Sequence, residues 1–205
     1  MELQQGGFSM FNMKKWIFIL PLLFIGVGLF FAGKSFYYYS KSIAAYHFIE
    51  NAWEDTKEKK ETTKPWTWAD FHPVAKLQIE SIDLQCIIMN QISDEALTFG
   101  PGHLSRTSLP GQPGNIVIAG HRDGHFHKLN SIQEKDVISI EGINQSDFYI
   151  VTEITPTSGQ DIYWTEQTET DVITLITCYP FHYIGEAEDR FIVRAEKMDT
   201  YSTLQ

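Results

Sequence analysis

Cysteine is scarce: only Cys86 and Cys178 occur in 205 residues. Two thiols can form one bridge but not a disulfide scaffold. Basic residues are also few, with 16 Lys and Arg against 26 Asp and Glu and a formal net charge of -10. The deficit is uneven. Residues 1–38 hold three lysines against one glutamate, a balance of +2, which leaves -12 on the remainder. A body that acidic lacks the basic face that phosphate neutralisation needs, so nucleic acid is not an expected partner. No internal repeat is apparent. What the chain does have is core material, 43% hydrophobic and 14% aromatic residues, which argues against disorder.

Charge is missing altogether from "WIFILPLLFIGVGLFFAG", residues 16–33. As a helix this run is about 27 Å long, close to the hydrocarbon thickness of a bilayer. Lys14 and Lys15 precede it, while Trp16 and Tyr37–Tyr39 bracket it as interfacial residues do. Lys34 and Lys41 on the far side weaken the charge asymmetry. A cleaved signal peptide is the competing reading, but the apolar run is long for one and no small-x-small site follows closely. The expectation is a cytoplasmic segment 1–15, a transmembrane anchor 16–33 and a stalk or linker 34–64. Within that stalk Ala45, Ile49, Ala52 and Trp53 recur at helical spacing, and "EDTKEKKETTK" (54–64) reads as exposed linker.

From Pro65 the apolar period changes to two. Leu77 and Ile79 alternate with polar residues, and Ile82, Leu84, Cys86 and Ile88 continue the pattern, which places Cys86 in a core. Short apolar segments follow at 115–120, 136–142, 148–155, 172–178 and 190–197, several of them separated by Pro-Gly or Ser-Gly turns. Several short strands with turn signals predict a mostly β domain over 65–200, a barrel or sandwich. "SDEALTFGPGHL" can hold a short helical turn.

Cys178 ends the apolar run "DVITLITCYPF" and is followed closely by Pro180. A lone cysteine is usually a small core hydrophobe. A nucleophilic one needs a basic or cationic neighbour to supply thiolate. Of the seven histidines, His47 falls in the stalk and His72, His103 and His182 in loops or turns, whereas His121 ends the strand "NIVIAGH" just as Cys178 ends its own. Two such strands can release both side chains at one rim. His121, His125 and His127 also lie within seven residues, which raises a metal site as a rival. Their spacing mixes i, i+4 with i, i+6, and Gly124 disfavours one helical face, so no metal ligand is assigned. An oxyanion forming on a carbonyl calls for a cation, and Arg190 and Arg194 share one face of the strand "DRFIVRAEK". Antiparallel pairing with the Cys178 strand would set Arg190 beside the thiol and Arg194 about 13 Å farther on.

"TLITC" (174–178), "AGHRD" (119–123) and an arginine twelve residues after the cysteine together resemble the sortases, membrane-anchored cysteine transpeptidases built on an eight-stranded β-barrel. "PWTWADFHPVAKL", "GPGHL" and "LPGQPGN" are similar to the class D-like branch, especially sortases described from marine proteobacteria. The resemblance implies a closed eight-stranded barrel with short helices behind an N-terminal transmembrane helix. It implies Cys178 as nucleophile, His121 as acid/base and Arg190 as the oxyanion or substrate-orienting group, with Ala119 and Thr177 lining the groove.

The activity so implied is cleavage of an LPXTG-like sorting motif in a secreted protein, with transfer of the thioacyl intermediate to an amine acceptor. The body would be extracytoplasmic, and periplasmic in a proteobacterium. No cofactor is required by that chemistry; calcium stimulates some members of the family, and an acidic body leaves that open. A cysteine endopeptidase with water as acceptor would use the same residues. A tethered peptide-binding module would hold the peptide without turnover. The papain-type cysteine-protease signature and the Ser-His-Gly-Cys run of L,D-transpeptidases are both missing.

Overall fold

The period-two segments become strands in a computed structural model, which describes residues 10–183 and 185–198, with side chains from Ile19 onward. Most of the expected cytoplasmic segment, the Trp16 side chain and residues 199–200 lie outside the described residues. Two compact units divide the chain at Ala44/Ala45.

In the first unit, helix α1 (Met10–Lys59) begins and carries the uncharged run. Between Ile19 and Phe36 its large apolar side chains are exposed, Leu22 at 69% and Phe30 at 66%. It is long and apolar enough to cross a membrane, with a mean hydropathy of 1.9 over the best window.

The second unit contains eight strands: β1 (Pro73–Ile79), β2 (Leu84–Met89), β3 (Gly102–His103), β4 (Asn115–Ala119), β5 (Val137–Glu141), β6 (Ser146–Ser158), β7 (Val172–Tyr179) and β8 (Asp189–Lys197). They close into a barrel in the order β1-β2-β3-β4-β7-β8-β6-β5, the eight-stranded closure that the resemblance implied. Closure leaves no unpaired edge. The β2–β3 and β4–β7 pairs are parallel, and the others antiparallel. Alternation sorts the two faces. Leu77, Cys86, Ile116, Ile118, Ile173, Leu175, Val193 and Ala195 share the interior with Phe126 and Leu129 from the loop after β4. Burial pushes the Cys86 thiol up to about 12, so it is an inert core group. Both cysteines are free.

Two local features escaped the period. The β1–β2 alternation is interrupted by a 3-10 turn at Glu80–Ile82, closed by Asp83 at φ 50°. The two-residue β3 is too short to show any period. The expected helical turn is α2 (Asp94–Phe99), capped by Ser93, whose hydroxyl accepts from the Ala96 amide.

The stalk reading needs correction. From Ala45 to Lys59 the helix is packed into the second unit, where Ile49, Trp53 and Thr56 are almost wholly buried. Ile49 and Trp53 join Ala69, Phe71, Ile87, Met89 and Ala96 in a second apolar cluster on the barrel's outer side. Lys57 Nζ reaches Glu141 Oε1 at 2.5 Å. Charged residues at 54–59 form the solvated side of a docked helix, and only the run beyond Lys59 leaves regular structure.

Candidate active site

At one end of the barrel, β4, β7 and β8 lie side by side. The parallel register pairs Ala119 with Ile176, and the Gly120 amide donates to the Ile176 carbonyl at 3.0 Å. Thr177 Oγ1 donates to the Gly120 carbonyl at 2.8 Å. Carried forward, this register sets Gly120 level with Thr177 and His121 level with Cys178. On the other side of β7, the antiparallel register pairs Cys178 directly with Arg190. Neighbouring strands lie about 4.8 Å apart, so the three residues span two adjacent gaps at one height.

Alternation also fixes their face. Ile173 and Leu175 point into the core, so Thr177 points inward and Cys178 outward; Ile118 points inward, so Ala119 points outward. Cys178, Arg190 and Ala119 are half-buried and His121 is exposed. The sulfur is therefore reachable from outside the barrel, unlike Cys86. Thr177 is 2% exposed, so its side chain does not line a groove as the resemblance implied. It instead fastens the strand end that leads to His121. Gly120 is needed for space, since a Cβ there would sit 2.8 Å from the Phe126 ring.

Arg190 differs from the expected open cation. Its Nη1 donates to the Ala187 carbonyl at 2.8 Å and the Asp189 carbonyl at 2.9 Å. Arg194, four residues on, pairs with Thr174 and lies over the Tyr163 and Trp164 rings at 5.8 and 5.9 Å. It lies four residues along β8 from Arg190, the residue paired with Cys178.

Two side chains that tie neighbouring segments together carry little sequence signal of their own. Asn115 is buried, donating to the Trp164 and Glu166 carbonyls at 3.0 and 2.9 Å and accepting from Thr174 Oγ1 at 2.9 Å. It thereby locks β4 to β7 and to the chain that crosses them. Arg122 stands next to His121 in the quoted "AGHRD" run, where the adjacency was the one available hint. Its Nη1 and Nη2 donate to the Pro180 and Gly185 carbonyls at 3.1 and 2.6 Å.

The other histidines disperse. His103 is buried, with Nε2–H donating to the Ser108 carbonyl at 3.0 Å. Burial holds its imidazole below the usual range. His125 stacks on Tyr46 with ring centroids 5.9 Å apart, and burial lowers it too. His127 meets the Phe181 ring edge-on. Among the described residues, no group of three or more His, Cys, Asp or Glu side chains is arranged to hold a metal ion. Beside His121 opens a cleft of about 510 Å³, lined among others by Asp123, Gly124 and His125 and by Leu97 and Thr98 of α2. It adjoins the imidazole and does not include the thiol.

A half-exposed thiol level with an imidazole and a guanidinium, outside a closed barrel, is an arrangement suited to acyl transfer through a thioester. Comparison with known proteins agrees with that chemistry. A family model described as "Sortase domain" matches residues 77–198. The chain is 27% identical to Sortase D of Bacillus subtilis (strain 168), over 91% of this chain and all of that protein. Among solved structures it is similar to a Clostridium perfringens Sortase D5 transpeptidase at 25% identity and a TM-score of 0.63, covering 76% of this chain and 99% of that one. It is also similar to sortase A from Corynebacterium diphtheriae, at 27% identity and a TM-score of 0.60 over 71% and 69% of the two chains.

Proposed function

This chain belongs to the sortase family of cysteine transpeptidases, and from that premise we propose that Cys178, His121 and Arg190 act together on a sorting motif of the LPXTG kind in a secreted protein. The observation that carries this reading is the pairing of Cys178 with Arg190 across β7–β8, combined with the Gly120 ties that bring His121 level with the sulfur.

In the proposed reaction the Cys178 thiolate attacks the scissile carbonyl carbon, forming a C–S bond. The C–N bond breaks, and His121 as imidazolium gives its proton to the leaving amine. The oxyanion that appears between these events faces the β8 side, where Arg190 supplies charge-assisted donors. An acceptor amine then attacks the thioester carbon and loses a proton to His121, and Cys178 departs as thiolate. The acceptor must occupy the place the leaving amine vacated, so it approaches beside His121, which the adjoining cleft permits. Ala119, half-buried on the outer face next to β7, lines the acyl side.

The substrate protein and the acceptor are the two partners of this reaction, and both are proposed on membership of the family. No metal enters these steps; turnover measured with added calcium and with a chelator tests for stimulation. The exposed apolar part of α1 anchors the enzyme as a single span, with the N-terminus cytoplasmic and the barrel outside, where a secreted substrate would meet it.

The test uses the purified full chain in detergent. Wild-type protein is expected to form a hydroxylamine-sensitive acyl-enzyme with an LPXTG-type peptide, and Cys178→Ala to lower turnover by about 10³-fold or more. Adding primary amines should divert product from acid to amide. Cleavage that survives Cys178→Ala overturns the nucleophile, and product that stays acid at every amine concentration makes the enzyme a hydrolase.

A further inference from the structure

The loop after the nucleophile, described at residues 180–183 and 185–188, is fastened from two sides. Arg190 holds its far end through the Ala187 and Asp189 carbonyls. Arg122 holds its near end, with Nη1 on the Pro180 carbonyl, two residues after Cys178, and Nη2 on the Gly185 carbonyl. The Arg122 guanidinium also lies over the Tyr183 ring at 5.6 Å. A single half-buried side chain thus reaches from the residue next to His121 to the chain just past Cys178. A planar guanidinium suits this, because its fork can serve two carbonyls at once while its face rests on an aromatic ring.

The two arginines are not equivalent in a reaction. Both N–H groups of Arg190 Nη1 are engaged on its own loop, and a turn of the guanidinium to present Nε or Nη2 to an acyl oxygen would release that bonding. Release would free the far end of the loop at the moment when the site has to be held. Arg122 has its contacts on Pro180, Gly185 and Tyr183 and not on Cys178 or Arg190, so it can keep its bonds throughout. We propose that Arg122 is a positioning residue: it holds Pro180 and Gly185 against the His121 loop, so that Arg190 can turn from the Ala187 and Asp189 carbonyls to the substrate without the site opening. The inference rests on the reading of Cys178, His121 and Arg190 given above.

The experiment uses the full chain in detergent, as wild type, Arg122→Ala and Arg122→Lys. Three readouts are taken: hydrogen exchange of residues 180–188, alkylation of each cysteine followed by mass spectrometry, and kcat and KM on an LPXTG-type peptide. Arg122→Ala is expected to speed exchange in the loop and to lower kcat about 10–100-fold, with KM changed less than about threefold, while the buried Cys86 stays unalkylated. Arg122→Lys should recover part of kcat, because an ammonium can serve one carbonyl but not bridge two. Unchanged loop exchange in Arg122→Ala overturns the proposal, as does an undiminished kcat. Should Cys86 become reactive in Arg122→Ala, the fold itself has opened, and Arg122→Lys decides: faster loop exchange with Cys86 protected supports the tie, and wild-type exchange overturns it. Exchange and alkylation need no peptide, so they test the tie even where the chosen peptide is not turned over, whereas loss of the Cys178 reading would show only in the turnover experiment.

Discussion

His121 and His103 show how differently two histidines can be used. His121 is exposed at a strand end, whereas His103 is buried, with its Nε2–H on the Ser108 carbonyl. Burial depresses His103, and likewise His72 and His125, each by desolvation of the charged form. An unfolded chain takes up protons on these groups near pH 6.5, while the folded chain still resists them. Stability from this source is therefore complete above about pH 6.5 and is lost as pH falls toward the depressed values, at roughly 1.4 kcal/mol per pH unit for each proton. The expected outcome is a melting temperature that declines on acidification from pH 8 to pH 5. His103→Gln should flatten the decline by one group's share, leaving that of His72 and His125; an equally steep decline would show that His103 does not contribute. The place of Cys178 at a strand end was legible in its apolar run, and that of Arg190 beside it from counting along the next strand. Thr177 was harder, because a threonine near a nucleophile looks the same in sequence whether it faces a groove or the core.

At the level of elements, helix α1 changes character along its length. Its large apolar side chains between Ile19 and Phe36 are exposed, while Ile49, Ala52 and Trp53 are buried, Ile49 and Trp53 in one cluster with Phe71, Ile87, Met89 and Ala96. Helical spacing announced that second stripe, but not what would cover it. A charged run such as 54–59 reads as linker when its one buried stripe is only Thr56 and its neighbours. Trp53→Ala is expected to destabilise the second unit by about 3–5 kcal/mol, read as a lower melting temperature or denaturant midpoint. A piece of the chain starting at Ala45 should melt well above one starting at Pro65. Equal melting of the two would mean that the docked helix adds nothing to the barrel.

For the whole molecule, the charge distribution and the exposed apolar helix argue together. A net charge of -12 beyond residue 38 disfavours binding of the body to anionic surfaces, which leaves the uncharged run as the candidate membrane anchor. The expected outcome is a full chain that sediments with membranes and resists alkaline carbonate extraction. Removing residues 1–33 should release it to the soluble fraction with turnover of a free peptide within about threefold of wild type, because the part of α1 that packs on the barrel, around Ile49 and Trp53, is kept. Release of the full chain by carbonate would refute the anchor.

What the sequence determined by itself was whatever depends on local periodicity and composition: an uncharged run of spanning length, strands of period two, a thiol and an imidazole each at the end of an apolar strand, and the short runs that resemble a family. These are readable because a strand or helix writes its own repeat into neighbouring residues. Only the tertiary structure decided which strands lie side by side, and so that Gly120 meets Thr177, that Asn115 bridges three segments, and that Arg122 and Arg190 hold one loop between them. Hydrogen bonds between residues some sixty positions apart leave no local pattern, since each partner is chosen by closure of the barrel and not by its neighbours in the chain.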